Sequence, residues 1–326
     1  MILPYLLRLL CLCFASFFVL NAALGLLVRI SSKSAIRFAE SRAPRAAARF
    51  LLALRMLPFA FAALFVLALC VPSYLRFEPA LTSERAGAVC LVLGLLGAAT
   101  CSLAIARSAR SLLVSWRHNR LCQLAAQKAP MPRISSQMLV VENEVPLLAM
   151  SGLFGPKLLI STRVLRELSH EELDAALRHE QAHSSSRDNA KRLLLLLAPD
   201  ILPFVRPLRL LEQSWSRFTE WAADDQAASG NSTRALSLAA ALVSVARMGS
   251  SPRLPYLSTS LLACDRDLSA RVDRLLRAAP PTSARTLQAP PLFPLAGLSL
   301  AFCLGALLLA PSILSLVHEL LELLLH

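Results

Sequence analysis

Two histidines four residues apart, with a glutamate directly after the first, stand out in the run Arg178-His179-Glu180-Gln181-Ala182-His183. On a helix this spacing sets both imidazoles on one face, where they can share a tetrahedral Zn²⁺ ion. The carboxylate of Glu180 then reaches a water polarised by the ion, removes a proton and later passes it to a departing amine. The ion makes this feasible by lowering the pKa of the water toward about 7. Two solvated histidines on an ordinary amphipathic helix would show the same spacing, so the motif by itself does not exclude chance.

A catalytic zinc needs a third protein ligand and an open position. Glu220-Trp221-Ala222-Ala223-Asp224 supplies a candidate, because its two carboxylates again fall four apart on one helical face. Glu220 could complete the ligand set. Asp224, one turn on, could accept a hydrogen bond from the free N–H of a ligating histidine and so fix its tautomer. The bland alternative is a charged helix face, which Asp225 next door would suit. Two look-alikes are set aside. His170-Glu171 has Asp174 where the second histidine should be, and serves better at a helix start; His318-Glu319 reads as an interfacial anchor.

The elements that must position these residues are partly legible. Ser169 with Glu172 forms a capping box before a helix from about His170 to Ser184, whose apolar positions Leu173, Ala176, Leu177 and Ala182 recur at helical spacing. Further helices are expected over about Leu211 to Ser229, ending at Gly230, and from Ser232 to about Met248. Upstream, Met138 to Val141, Pro146 to Met150 and Leu158 to Ser161, separated by polar and Gly-Pro turns, predict a short meander of strands. Leu193 to Leu197 with Pro199 to Val205 is apolar but short and interrupted, which fits a core or interfacial segment, with a re-entrant membrane piece as the alternative.

The chain has 326 residues, 56% of them hydrophobic, and a mean hydropathy of +0.55. That is more apolar than a soluble protein of this size, and four stretches are long enough to cross a hydrocarbon core of about 30 Å. They run approximately Leu9 to Val28, Met56 to Tyr74, Ala86 to Ala106 and Phe293 to Val317. Arg29, Lys33, Arg37, Arg42, Arg45 and Arg49 follow the first stretch, which argues against a cleaved signal peptide and keeps that loop in the cytoplasm. Arg107, Arg110, Arg117, Arg120, Lys128 and Arg133 follow the third. The amino terminus is then outside, the large middle region cytoplasmic and the acidic end (Glu319, Glu322) outside.

The net charge of +13 borders membrane spans for the most part, so anionic lipid headgroups are better partners for it than nucleic acid. Of eight cysteines, Cys11, Cys13, Cys70, Cys90, Cys101 and Cys303 lie in or next to apolar spans. Cys122 and Cys264 are far apart, and no C-x-x-C pair exists. Buried small hydrophobes is the default reading, with no disulfide or metal knuckle expected.

The run from Pro156 to Asn189, with Leu158-Leu159-Ile160-Ser161, Leu168-Ser169-His170-Glu171-Glu172-Leu173 and His179-Glu180-Gln181-Ala182-His183 closing at Arg187-Asp188, resembles the BlaR/MecR-type antirepressor metallopeptidases. The Glu220 to Asp224 segment is similar to that family's second motif, and three spans before a peptidase domain with one after it also match. The membrane gluzincins of the HtpX and CAAX-protease type share both motifs and are a close rival. The order of spans and the prolines from Pro199 to Pro207 favour the first. Either resemblance implies zinc and peptide hydrolysis, with a protein or peptide substrate. The first implies a bacterial inner-membrane protein in signal transduction and a transcriptional repressor as partner. Its sensor members continue into an extracellular penicillin-binding domain; this chain stops at His326, so direct antibiotic sensing by this polypeptide is not expected. The resemblance also singles out Arg271, which could steady an oxyanion, pair with Asp224 or be a solvated helix charge. Peptidases of this kind hold substrate on a sheet edge, and Ala149 to Gly152 is the candidate edge, an ordinary buried strand being the alternative.

The expectation is a mainly α membrane protein with about four transmembrane helices and an α+β minimal zincin-like (gluzincin) cytoplasmic domain. The parts are a membrane region (1–106), a peptidase domain (107–278), a Pro-rich linker (279–292) and a final span (293–326). The competing function is a membrane signalling or scaffold protein that keeps the metal site without cleaving.

Overall fold

A computed structural model describes residues 4–78, 87–128, 138–142, 145–153, 157–200, 208–249, 255–260, 267–277 and 311–325. In chain order the helices are α1 (Tyr5–Glu40), α2 (Pro44–Phe65), a π-helical turn (Val66–Cys70), α3 (Val71–Phe77) and α4 (Ala88–Lys128). Strands β1 (Met138–Val141), β2 (Leu148–Ser151) and β3 (Lys157–Ser161) precede α5 (Thr162–Glu167), α6 (His170–Ser185), α7 (Asp188–Leu197), α8 (Arg209–Ala228) and α9 (Ser232–Arg247). Strand β4 (Ser258–Ser260), α10 (Leu268–Leu276) and α11 (Pro311–Leu325) complete the described chain.

Among the described residues three helices are long and apolar enough to cross a membrane: Tyr5–Glu40, Pro44–Phe77 and Ala88–Leu124. Leu67 and Leu95, 72% and 71% exposed, point away from the bundle, as side chains solvated by lipid do. Most of the fourth apolar stretch, and the whole Pro-rich linker, lie outside the described residues. The π-helical turn ends two residues before Pro72, whose missing N–H interrupts the helical ladder at that level. α1 and α4 pack closely because α4 carries glycines at the contact. A Cβ at Gly94 would come 2.8 Å from Cys11 Sγ, and one at Gly97 would collide with the carbonyl of Phe14.

At 36 residues α1 is about 54 Å long, well over the roughly 30 Å of a hydrocarbon core, and α4 runs unbroken past position 106. These projecting ends carry the globular part. Ala47 and Leu51 of α2 pack on Leu211, Trp215 and Phe218 of α8 in one apolar cluster. Arg55 reaches Glu212 while Arg45 and Ala222 line one cavity, so α2 and α8 run in opposite directions.

The capping box forms as the sequence predicts: Ser169 Oγ accepts from Glu172 N–H, and the Glu172 carboxylate accepts from Ser169 N–H. The helices over 170–184, 211–229 and 232–248 appear within two residues of their expected bounds. The strand segments appear too, but the expected meander does not. The sheet order is β1-β3-β2-β4, with β1 parallel to β3 and β2 antiparallel to both neighbours. β2 is therefore interior, and Ala149 to Gly152 is not an open edge. The neighbour that covers it is β4, a Ser-Thr-Ser run with no apolar alternation to betray it. The apolar stretch after the first motif begins as a ten-residue helix, α7; residues 201–207 lie outside the described set.

Candidate metal centre

Two helices build the centre. α6 turns Ala175, Ala176, His179, Glu180, Ala182 and His183 inward, its alanines allowing close packing, and α8 turns Glu220, Ala223, Asp224 and Ala227 toward it. Arg187, in the left-handed region at φ 54°, breaks the helical run and starts α7 at once, which brings Asp188 back beside His183.

His179 Nε2 and His183 Nε2 stand 3.2 Å apart. One oxygen of Glu220, Oε2, lies 3.4 Å from the first and 3.6 Å from the second. All three side chains are buried. Donors at 2.0–2.1 Å from a tetrahedral zinc would be separated by about 3.3–3.4 Å, so this triangle has the size a small divalent ion requires. Neither oxygen of Glu220 accepts a hydrogen bond of good geometry, and three acceptor-type atoms converge where a cation would satisfy all of them. The donor set, two imidazoles and a carboxylate, is one that zinc accepts.

A second layer orients the first. Asp224 Oδ1 is 3.0 Å from His179 Nδ1, and Asp188 Oδ2 is 2.8 Å from His183 Nδ1. Asp188 can accept a hydrogen bond from the His183 Nδ1–H, and Asp224 stands beside His179 Nδ1; both placements favour the tautomer whose Nε2 lone pair is free. Arg271 donates through Nε and Nη2 to the two oxygens of Asp224, at 2.9 and 2.7 Å, so its guanidinium pairs with that carboxylate rather than standing in solvent. Its Nη1 lies 3.4 Å from Glu220 Oε2. Lys191 holds the other oxygen of Asp188 at 2.7 Å. The sequence places Asp188 at the close of the motif run without marking a role for it. Its separation of five from His183 does not match the i+4 spacing of one helical face, and only the turn at Arg187 makes the contact.

Glu180 sits beside the triangle. Its Oε2 accepts from the N–H of Met150 on β2 at 3.1 Å, while Oε1 has no hydrogen-bond partner. Burial pushes its pKa up to about 7, against the opposing pull of His179 and His183. For His183 burial acts downward, but Glu220 and Asp188 outweigh it and raise the imidazole to about 10. Burial likewise disfavours ionised Glu220, yet the histidines and Arg271 hold it well below the ordinary carboxylate range. The cluster therefore favours positive charge. Asn189 ties α7 to the strand, donating to the carbonyls of Gly152 at 3.0 Å and Met150 at 3.4 Å. The look-alikes stay apart: His170 opens α6, and His318 rests against the ring of Phe77.

Helices fit to span a membrane, joined to a buried His-His-Glu cluster on two packed helices, define a membrane protein of the metallopeptidase class. The chain matches the family model described as BlaR1 peptidase M56 over residues 84–275, more than half its length, and belongs to that peptidase family. No curated protein and no solved structure matches it.

Proposed function

We propose that the protein is a zinc-dependent endopeptidase of the bacterial inner membrane that hydrolyses a peptide bond in a cytoplasmic or membrane-proximal protein. The observation that carries this reading is the triangle of donor atoms at 3.2, 3.4 and 3.6 Å beside an unpaired Glu180 oxygen. His179, His183 and Glu220 would hold the ion, which when bound supplies Lewis acidity to polarise a carbonyl and acidify an attacking water. Glu180 takes the proton of that water on Oε1 and returns it to the leaving amine. The pKa of about 7 to which burial raises Glu180 suits both transfers. Met150 N–H holds the other oxygen, so the carboxylate does not swing. Asp224 and Asp188 keep the two imidazoles in the ligating tautomer, and Arg271 neutralises Asp224 within the buried cluster.

The basic loops after the first and third spans support a cytoplasmic peptidase domain spanning 107–278, flanked by a membrane region (1–106), a linker (279–292) and a last span (293–326). A repressor as substrate, and with it a place in signal transduction, rests on the resemblance alone. A non-cleaving scaffold with a vestigial metal site is disfavoured by the presence of Glu180 itself. The purified full chain in detergent tests this with Glu180→Gln, using unfolded casein and the chain itself as substrates. Wild type and variant should each hold one zinc while the variant loses cleavage by about 10²–10⁴-fold. Equal cleavage by both would remove the base assignment.

A further inference from the structure

Four cysteines that peptide hydrolysis does not use meet in pairs inside the helix bundle. Cys11 Sγ of α1 lies 3.7 Å from Cys90 Sγ of α4. Cys13 Sγ, on the same helix, lies 3.9 Å from Cys70 Sγ in the π-helical turn. Both pairs sit toward the ends of the spans away from the peptidase domain, within a few helical turns of the buried Arg8–Glu78 ion pair. Two local features bring them together. Cys70 ends the π-helical turn, where the ladder is already altered. Gly94, without a side chain, leaves room for Cys11 against α4. Cys101 and Cys122 have no such thiol neighbour among the described residues.

We infer that Cys11–Cys90 and Cys13–Cys70 are two disulfide-forming pairs, a covalent modification site that staples α1 to α4 and to the π-helical turn after α2. The sulfurs are in van der Waals contact, and bonding at about 2.05 Å needs only side-chain rotation and a small approach of the helices. Cys11 and Cys13 are partly accessible whereas Cys70 and Cys90 are buried, which divides the chemistry. The α1 thiol loses its proton and attacks a disulfide of a thiol oxidoreductase or a small disulfide carrier, forming a mixed disulfide and releasing one carrier thiolate. The buried partner then loses its proton and attacks the α1 sulfur, and the second carrier thiolate departs. Each bridge thus gives two electrons to the carrier and two protons to the carrier thiolates. The orientation proposed above sets these ends on the exported side, where such carriers operate. The pairing itself rests on the sulfur positions and not on peptidase activity.

The test is covalent connectivity. The full chain in lipid nanodiscs is equilibrated with a large excess of oxidised over reduced glutathione, acid-quenched, alkylated and digested without reduction. In the wild type, the α1 peptide containing Cys11 and Cys13 should be joined to both the Cys70 and the Cys90 peptides, each bridge lowering the mass by about 2 Da. Cys90→Ser should lose the α4 peptide and keep the α2 peptide; Cys70→Ser should do the reverse. Complete alkylation of every cysteine in the wild type overturns the proposal, as does an α4 link that survives Cys90→Ser through Cys101. Neither result depends on zinc or cleavage, so the peptidase reading and this one fail separately.

Discussion

Two buried clusters of charge lie about two turns apart along α8, one at Glu212 and one at Glu220, and they are built on different principles. At the junction with the membrane helices, Arg55 donates to Glu212 and Asp200 at 3.1 Å each and to the Ala198 carbonyl at 3.3 Å, while Arg107 reaches the second oxygen of Asp200 at 3.3 Å. Two guanidinium groups answer two carboxylates. At the second, His179 Nε2, His183 Nε2 and Glu220 Oε2 meet within 3.6 Å of one another. Arg271 donates to Asp224 and sets its Nη1 3.4 Å from Glu220 Oε2. The contrast teaches that burial alone does not mark function. A matched cluster glues two elements together, whereas two imidazole nitrogens and a carboxylate oxygen converging on one another suit a shared cation.

The comparison breaks most sharply at its centre. Glu220→Ala should lower bound zinc, measured by atomic emission after dialysis, from about one ion to nearly none, with cleavage at background. A variant that kept its ion and its activity would put the centre elsewhere. Removing Arg55 tests the opposite kind of cluster. Arg55→Met removes a buried partner from both Asp200 and Glu212 and should cost about 3–5 kcal/mol of stability in detergent melts, with zinc per folded molecule unchanged.

Smaller effects sharpen the picture. Asp188→Asn should weaken metal affinity about 10–100-fold in chelator competition, because His183 loses the carboxylate that orients it; an unchanged affinity would make Asp188 a partner of Lys191 only. The raised His183 pKa of about 10 has a definite sign. Below that value the ion must displace a proton from the imidazole. Zinc binding at pH 8 should therefore release protons, and affinity should fall by up to about tenfold per proton displaced for each unit the pH is lowered. Calorimetry in buffers of different ionisation heat reads both quantities. No proton release would contradict the charge balance described for the cluster.

Legibility in the sequence followed the range of the interaction. His179, Glu180 and His183 were placed on one face by helical spacing, and the capping box at Ser169 formed as read. The strands were found but their order was not, since β4 pairs with β2 across a long stretch of chain and carries no periodic apolar signal. Asp188 was passed over because its contact depends on the left-handed Arg187. The four paired cysteines were read as isolated small hydrophobes, as nothing in their spacing announces a partner on another helix.

The sequence by itself determined the two helical faces that carry nitrogen and oxygen donors, and apolar stretches able to cross a membrane, three of which fall on described helices. Those are local properties, fixed by 3.6 residues per turn and by the cost of apolar surface in water. Tertiary structure alone decided that Glu220 meets both imidazoles, that Asp188 turns back to His183 and that cysteines on separate helices touch. Distances between elements are set by how alanine- and glycine-lined surfaces pack, and no local pattern encodes them.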